Sequence, residues 1–284
     1  MEKTKPLEGN MGVKVADIDL LEISLPGFFG LSGRTYNRSL VVLTGPAGVG
    51  KTTLAHGVLH ATAEAIRGKA QGGKARKGQG GRPLPPIEVI PLHLLLEFNR
   101  IHSLNHGGQC SLAKIVGASS SGVEASLVIQ AADAVLGRAS QRGAIRLPVV
   151  VVDAATDLRG DDTDRLGNIW RGIQMFLSWL DKFTYYIAIF IAQERANINA
   201  GPYAPKHRPG FPDSHLHSAH FLIRMAPAGE GKVRILTRAV NAIADKPQAE
   251  VSLTMDTLRA LVSGGDSLCF GIELAGKAQV YVEA

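Results

Sequence analysis

The residues best placed to do chemistry are Gly45 to Thr53, GPAGVGKTT, which fit the spacing G-x-x-x-x-G-K-[ST]. That spacing builds a phosphate cradle, because glycines reach backbone conformations closed to other residues and let successive N–H groups turn inward on an anion. A helix expected over 51–65 points its positive end at the same place. Gly45, Pro46, Ala47, Gly48, Val49, Gly50 and Thr53 would surround the nucleotide. Lys51 would reach its β- and γ-phosphates, and the Thr52 hydroxyl would help hold Mg²⁺. ATP and Mg²⁺ are the cofactors this implies.

Chemistry of this kind needs a metal-orienting carboxylate at the end of a neighbouring strand, and Asp153 closes the run LPVVVVD. Four valines and then one acid read as a buried parallel strand that carries a carboxylate to the sheet's C-terminal edge. A helix N-cap is the other role open to that aspartate. In the first role Asp153 shares the metal with Thr52. The later run YYIAIFIAQ ends in Gln193, an amide that can sense a γ-phosphate or place a water, or can simply end a strand.

These residues must be positioned by strands and helices, and the chain alternates short β-branched runs with amphipathic stretches. Strands are expected at Ser39–Thr44, Ile87–Leu92, Val149–Val152, Ile187–Ala192 and His220–Met225. Ile169, Ile173, Phe176, Leu177 and Leu180 recur at helical spacing and predict a helix over 169–180, and a second is expected over 123–139. After residue 230 short strands with turn residues between them predict an antiparallel extension of the sheet.

Two stretches read differently. Residues 67–86 hold six Lys or Arg and no acid in a Gly-rich, apolar-poor setting, so they are expected to form a flexible basic insertion. Residues 199–214, NAGPYAPKHRPGFPDS, predict a long loop, with Lys206, His207 and Arg208 beside Tyr203 and Phe211. Cations there can hold phosphates while rings stack on unpaired bases, and an ordinary solvated loop is the bland alternative. His215, His217 and His220 match no zinc spacing, and HSLNHGG, with His102 and His106, reads as a polar turn.

With 284 residues, 45% of them hydrophobic, the chain is long enough for a large α/β core, which excludes wholesale disorder. A net charge of +6 favours an anionic partner. Cys110 and Cys269 stand far apart, which excludes a disulfide framework. No run approaches the ~20 apolar residues of a spanning helix, and MEKTKPLEGNMG lacks the apolar core of a secretory signal. A cytoplasmic protein without a membrane partner is expected.

Taken in order, the loop GPAGVGKT, VVVVDAATDLRGDDTDRLGN, IAIFIAQERA, the Pro/Gly loop and HSAHFLIRMAPAGEGKVRILTRA resemble the RecA-like recombinase core, in particular archaeal RadA and its core-only paralogues. The resemblance spans about residues 38–260 and implies an α/β P-loop NTPase of RecA-like type. Its sheet would be central and mostly parallel, flanked by helices, with antiparallel C-terminal strands. The division implied is an N-terminal extension, 1–37, and an ATPase core, 38–284, in place of the helical N-terminal domain of full-length recombinases.

Position by position, Lys51 and Thr52 match the family's loop pair and Asp153 its second carboxylate. Gln193 matches the glutamine of an Asn-Gln pair, with Ala192 where the Asn would stand. Residues 158–168, with Arg159 and Arg165, correspond to the first DNA-facing loop. Residues 197–214, with Lys206, His207 and Arg208, correspond to the second. His217 corresponds to the histidine that opens the next strand and couples nucleotide state to DNA.

The family's water-activating glutamate has no direct counterpart in VIPLHLLLEFNRI: His93 falls at its position, and Glu97 serves only with a register shift. The catalytic set is then Lys51, Gln193 and Glu97, with weak hydrolysis expected. Three functions fit these residues. One is a DNA-binding ATPase of recombination or repair that self-associates or pairs with a related recombinase. The second is a KaiC-like nucleotide switch acting through protein partners, and the third a ring-forming motor of the DnaB helicase type.

Overall fold

Val149 to Val152 are fully buried, and alternate valines face opposite sides of a sheet. Val150 and Val152 pack with one apolar cluster, Val149 and Val151 with another. A strand covered on both faces has no polar side to present, so its sequence runs continuously apolar. The structure, a computed structural model, describes residues 33–34, 38–56, 59, 87–97, 111–117, 122–138, 143–160, 168–183, 185–196, 207–239, 243–244, 248–254, 269–274 and 278–283.

The strands are β1 (Gly33–Arg34), β2 (Arg38–Gly45), β3 (Ile87–Glu97), β4 (Ser111–Gly117), β5 (Val123–Glu124), β6 (Ile145–Asp153), β7 (Leu158–Arg159) and β8 (Tyr186–Ala196). They continue as β9 (His207–Pro209), β10 (Phe221–Pro227), β11 (Lys232–Ala239), β12 (Ile243–Ala244), β13 (Gln248–Thr254), β14 (Cys269–Leu274) and β15 (Ala278–Glu283). Helix α1 opens at Lys51, with residues 51–56 helical. It is followed by α2 (Ala125–Arg138), α3 (Asn168–Leu180) and α4 (Asp213–Ser218).

The main sheet runs β13-β11-β10-β2-β8-β6-β3-β4-β15-β14, with β9 paired to β8. Strands β10, β2, β8, β6, β3 and β4 are mutually parallel neighbours. This is the mixed α/β, mostly parallel architecture expected. Leu54, Ala55 and Leu59 of α1 seal one face. On the other, α2 and α3 pack over Val42, Leu92, Leu94, Val150 and Phe190. Phe176 of α3 meets Phe190 edge-on at 5.9 Å, and the Trp179 indole N–H donates to Asp133 Oδ1 of α2 at 2.9 Å, so the helical layer is locked laterally as well.

Three expectations need correction. The antiparallel strands do not form one extension: β11 and β13 continue the sheet beyond β10, whereas β15 and β14 pair onto β4 at the opposite edge. Both margins of a parallel core offer unpaired backbone groups, and antiparallel additions satisfy both. Strand β4, between β3 and β15, was not anticipated at all. The end of the expected loop 199–214 is ordered into β9 and the start of α4. Pro209 fits there because β9 is an edge strand that needs no further donor, and Pro212, in extended conformation, sets the entry to α4. Segment 67–86 lies outside the described residues.

Candidate phosphate-binding site

Strand β2 ends at Gly45 and α1 begins at Lys51, so the intervening turn caps a helix N-terminus at the C-terminal edge of the parallel strands. Gly48 and Gly50 adopt positive φ, 75° and 89°, which lets the turn curl where a side chain would strain it. Gly45 is required for a second reason: a Cβ there would sit 2.6 Å from the Met225 carbonyl oxygen of β10.

Lys51 folds back into the turn, its ammonium donating to the carbonyls of Gly45 at 3.0 Å and Pro46 at 2.7 Å. Burial pulls its pKa below the ordinary lysine value, and the negative charges of Asp153 and Glu194 oppose that fall. The Thr52 hydroxyl donates to Asp153 Oδ2 at 2.5 Å. Asp153 therefore stands where the valine run predicts, at the end of β6, and meets the loop although 101 positions separate it from Thr52. A hydroxyl and a carboxylate side by side are the hard oxygen donors that Mg²⁺ takes, so this pair fits the metal.

Register places Gln193 of β8 directly beside Gly45, and its side chain is exposed. Glu97 ends β3, two residues past the position paired with Asp153; its side chain is outside the described residues. His93 is fully buried, with Nε2 3.7 Å from Asp153 Oδ2 and Nδ1 3.1 Å from Nδ1 of His56 on α1.

Among the cations expected on the loops, Arg165 and Lys206 lie outside the described residues. His207 and Arg208 are exposed on β9, where Arg208 pairs across from Arg195 and His207 from Ala196. Arg159 is half-buried and donates to the carbonyls of Thr156 at 2.5 Å and Leu158 at 3.1 Å. Burial, together with the nearby charge of Arg195, lowers its pKa, while Asp157 opposes the fall. His217 does not open a strand: it is exposed on α4, and β10 begins four residues later. The residue at the strand's opening is His220, whose Nδ1 accepts from the Leu40 N–H at 3.0 Å while its backbone N–H donates to Leu40 O at 2.8 Å.

Sequence reading missed Glu194, Arg224 and His56. Glu194 takes a two-point bond from Arg224, at 2.6 and 3.2 Å. Strand β2 lies between their two strands, so the pair crosses the strand that leads into the phosphate turn. A lone arginine in FLIRMAP is the sequence signal for it, but only the β8-β2-β10 order names its partner. His56 carries no signal beyond being a polar residue in an apolar helical turn.

Strand order, turn and paired oxygens define the class: a P-loop α/β domain. No protein-family model matches the chain, and no curated protein matches it. Among solved structures it is similar to an ATPase domain, with 10% identity and a TM-score of 0.48 over 82% of this chain and 86% of that one. It is also similar to a DnaB-like replicative helicase whose interactions with primase were described, with 10% identity and a TM-score of 0.45 over 76% of this chain and 55% of that one. No helix among the described residues is long and apolar enough to cross a membrane.

Proposed function

We propose that the chain is a RecA-like, ATP-binding protein that binds DNA, a recombinase paralogue that assists recombination or repair with weak ATP hydrolysis. The observation that carries the nucleotide reading is the joint geometry of Lys51 and Thr52. The ammonium rests on two carbonyls of its own turn, and the hydroxyl rests on Asp153. Each is a charge-assisted bond that a phosphate or a metal can replace in kind.

In this reading Lys51 holds the β- and γ-phosphates, backbone N–H groups of 45–53 orient them, and Thr52 and Asp153 hold Mg²⁺. When bound, Mg²⁺ supplies neutralisation of the charge that develops on the transferred phosphoryl. Gln193, level with Gly45, places the attacking water, and Glu97 activates it.

The DNA reading draws support from the arginines beside β9. Arg195 and Arg208 stand directly opposite across an antiparallel pair, and like charges so placed repel. A polyanion relieves that repulsion. Trp170, exposed at 47%, donates to Ser214 Oγ at 3.2 Å and stacks on His215, which offers a ring face near the end of the same segment. A partner copy or a related recombinase would complete the assembly, in the cytoplasm.

The test is ATP binding and turnover by the whole chain, with and without single-stranded DNA, beside Lys51→Ala. Lys51→Ala is expected to weaken ATP binding by about a hundredfold, and DNA is expected to raise turnover. ATP affinity unchanged by the substitution refutes the site. A second reading, a nucleotide switch acting through a protein partner, is favoured by buried His93 at the position of the water-activating glutamate. ATP bound but not hydrolysed, with DNA making no difference, would decide for it.

A further inference from the structure

Beneath the phosphate turn two buried imidazoles face each other. His56 of α1 is 1% exposed and His93 of β3 is 0% exposed. Their ring planes lie within 28° of each other with centroids 5.4 Å apart, and the rings meet edge to edge, their Nδ1 atoms 3.1 Å apart. In such a contact one Nδ1 carries the proton and the other accepts it.

The far side of His93 decides which. Its Nε2 is buried without a hydrogen-bond partner and lies 3.7 Å from Asp153 Oδ2. An unprotonated Nε2 would turn a lone pair on a carboxylate, whereas a protonated one turns an N–H on it. The favourable tautomer therefore has His56 Nδ1–H donating to His93 Nδ1, and Nε2–H of His93 aimed at Asp153.

That N–H stands just beyond hydrogen-bond range of Oδ2, the oxygen that the Thr52 hydroxyl engages at 2.5 Å and draws toward itself. Asp153 thus has two donors in line for one oxygen, one engaged and one in reserve. An orphaned buried N–H is costly, so His93 gains whenever Asp153, released by the Thr52 hydroxyl, shifts the few tenths of an ångström toward it.

We propose that His56 and His93 are positioning residues for the nucleotide site: His56 fixes the tautomer of His93, and His93 Nε2–H holds the Asp153 carboxylate once Thr52 releases it. The role resembles the outer hydrogen bonds that orient carboxylates in metal sites. It rests on the nucleotide reading given above, and it is distinct from activation of water.

The experiment is calorimetric binding of ADP to the whole chain, once with MgCl₂ and once with EDTA, so that no turnover intervenes. The quantity read is the ratio of the two affinities. In His93→Phe, which keeps a ring but no donor, the ratio is expected to fall about tenfold. His93→Gln, which keeps an N–H, should restore much of it. His56→Leu should lower the ratio as well, and it decides the matter if His93→Phe does not fold by circular dichroism. A merely structural role would weaken binding equally in both buffers and leave the ratio unchanged. An unchanged ratio in folded variants overturns this proposal alone, while failure of the unmodified chain to bind ADP at all overturns the nucleotide reading and this proposal with it.

Discussion

A half-buried histidine that accepts a backbone N–H makes folding depend on pH, and His220 is such a residue. Its Nδ1 takes the Leu40 N–H, which only the unprotonated nitrogen can do, and burial lowers its pKa below the ordinary 6.5. The unfolded chain therefore binds more protons than the folded one as pH drops below about 6.5. Stability from this group is complete above that pH and is lost as pH falls through it towards the lowered folded value. The unfolding midpoint of the whole chain should drop by a few degrees between pH 7.5 and 5.5 (~1 kcal/mol at this size). In His220→Asn, whose side-chain oxygen can accept the same N–H without titrating, the slope should shrink. It should not vanish, because burial also lowers the pKa of His215. A slope identical in both proteins would show that the Leu40–His220 seam does not respond to protons. The same residue shows where two sequence readings part: the apolar run opens a strand at His220, the resemblance puts the strand's histidine at His217, and the start of β10 with the bond to Leu40 decides for His220.

At the scale of elements, α3 makes a close backbone approach to β7, which pairs with β5 outside the main sheet. A Cβ on Gly172 of α3 would lie 2.7 Å from the Arg159 carbonyl carbon of β7 and 2.9 Å from its N and O atoms. The obstacle is backbone, which cannot swing aside, so Gly172→Ala should destabilise the chain by about 1–3 kcal/mol. Gly137 of α2 meets nothing within 4 Å, and Gly137→Ala should be neutral or stabilising by up to about 1 kcal/mol, since alanine is the better helix former. Urea titrations of the two variants should move in opposite directions. If Gly172→Ala costs nothing, α3 does not rest on β7 as described. The helical face of α3 was legible because Ile173, Phe176 and Leu180 repeat with the helix period and are all fully buried. The buried strands were legible from their unbroken apolar runs, and the phosphate turn from a spacing that is itself a backbone geometry. The splitting of the C-terminal strands to both edges was not legible. Pairing partners are chosen by non-local backbone hydrogen bonds, and the local pattern of VRILTRAV or QVYVEA is the same whichever edge is joined. The partnership of Glu194 with Arg224, 30 positions apart, is hidden for the same reason.

For the molecule as a whole, the net charge of +6 provides attraction for any polyanion, so affinity alone is weak support for a DNA site. The salt dependence is more discriminating. Each phosphate neutralised on a single strand contributes roughly 0.7 to the slope of log K against log salt. If the β8–β9 hairpin is the contact, Arg208→Ala should lower that slope by about 0.7, and the double change with Arg195→Ala by about 1.4. Fluorescence anisotropy of a labelled oligonucleotide across a salt series reads this directly. The free protein should respond with the opposite sign, because Arg195 and Arg208 face each other across the pair. Arg208→Ala should stabilise the DNA-free chain by about 0.2–1 kcal/mol, whereas Arg195 also attracts Asp157, so its loss gives no such gain. A substitution that weakens DNA binding while stabilising the free protein is hard to produce by general damage. A slope unmoved by either arginine would take the DNA contact away from this hairpin. Absence of any measurable binding at low salt would remove DNA from the reading and leave the nucleotide-gated partnership with another protein.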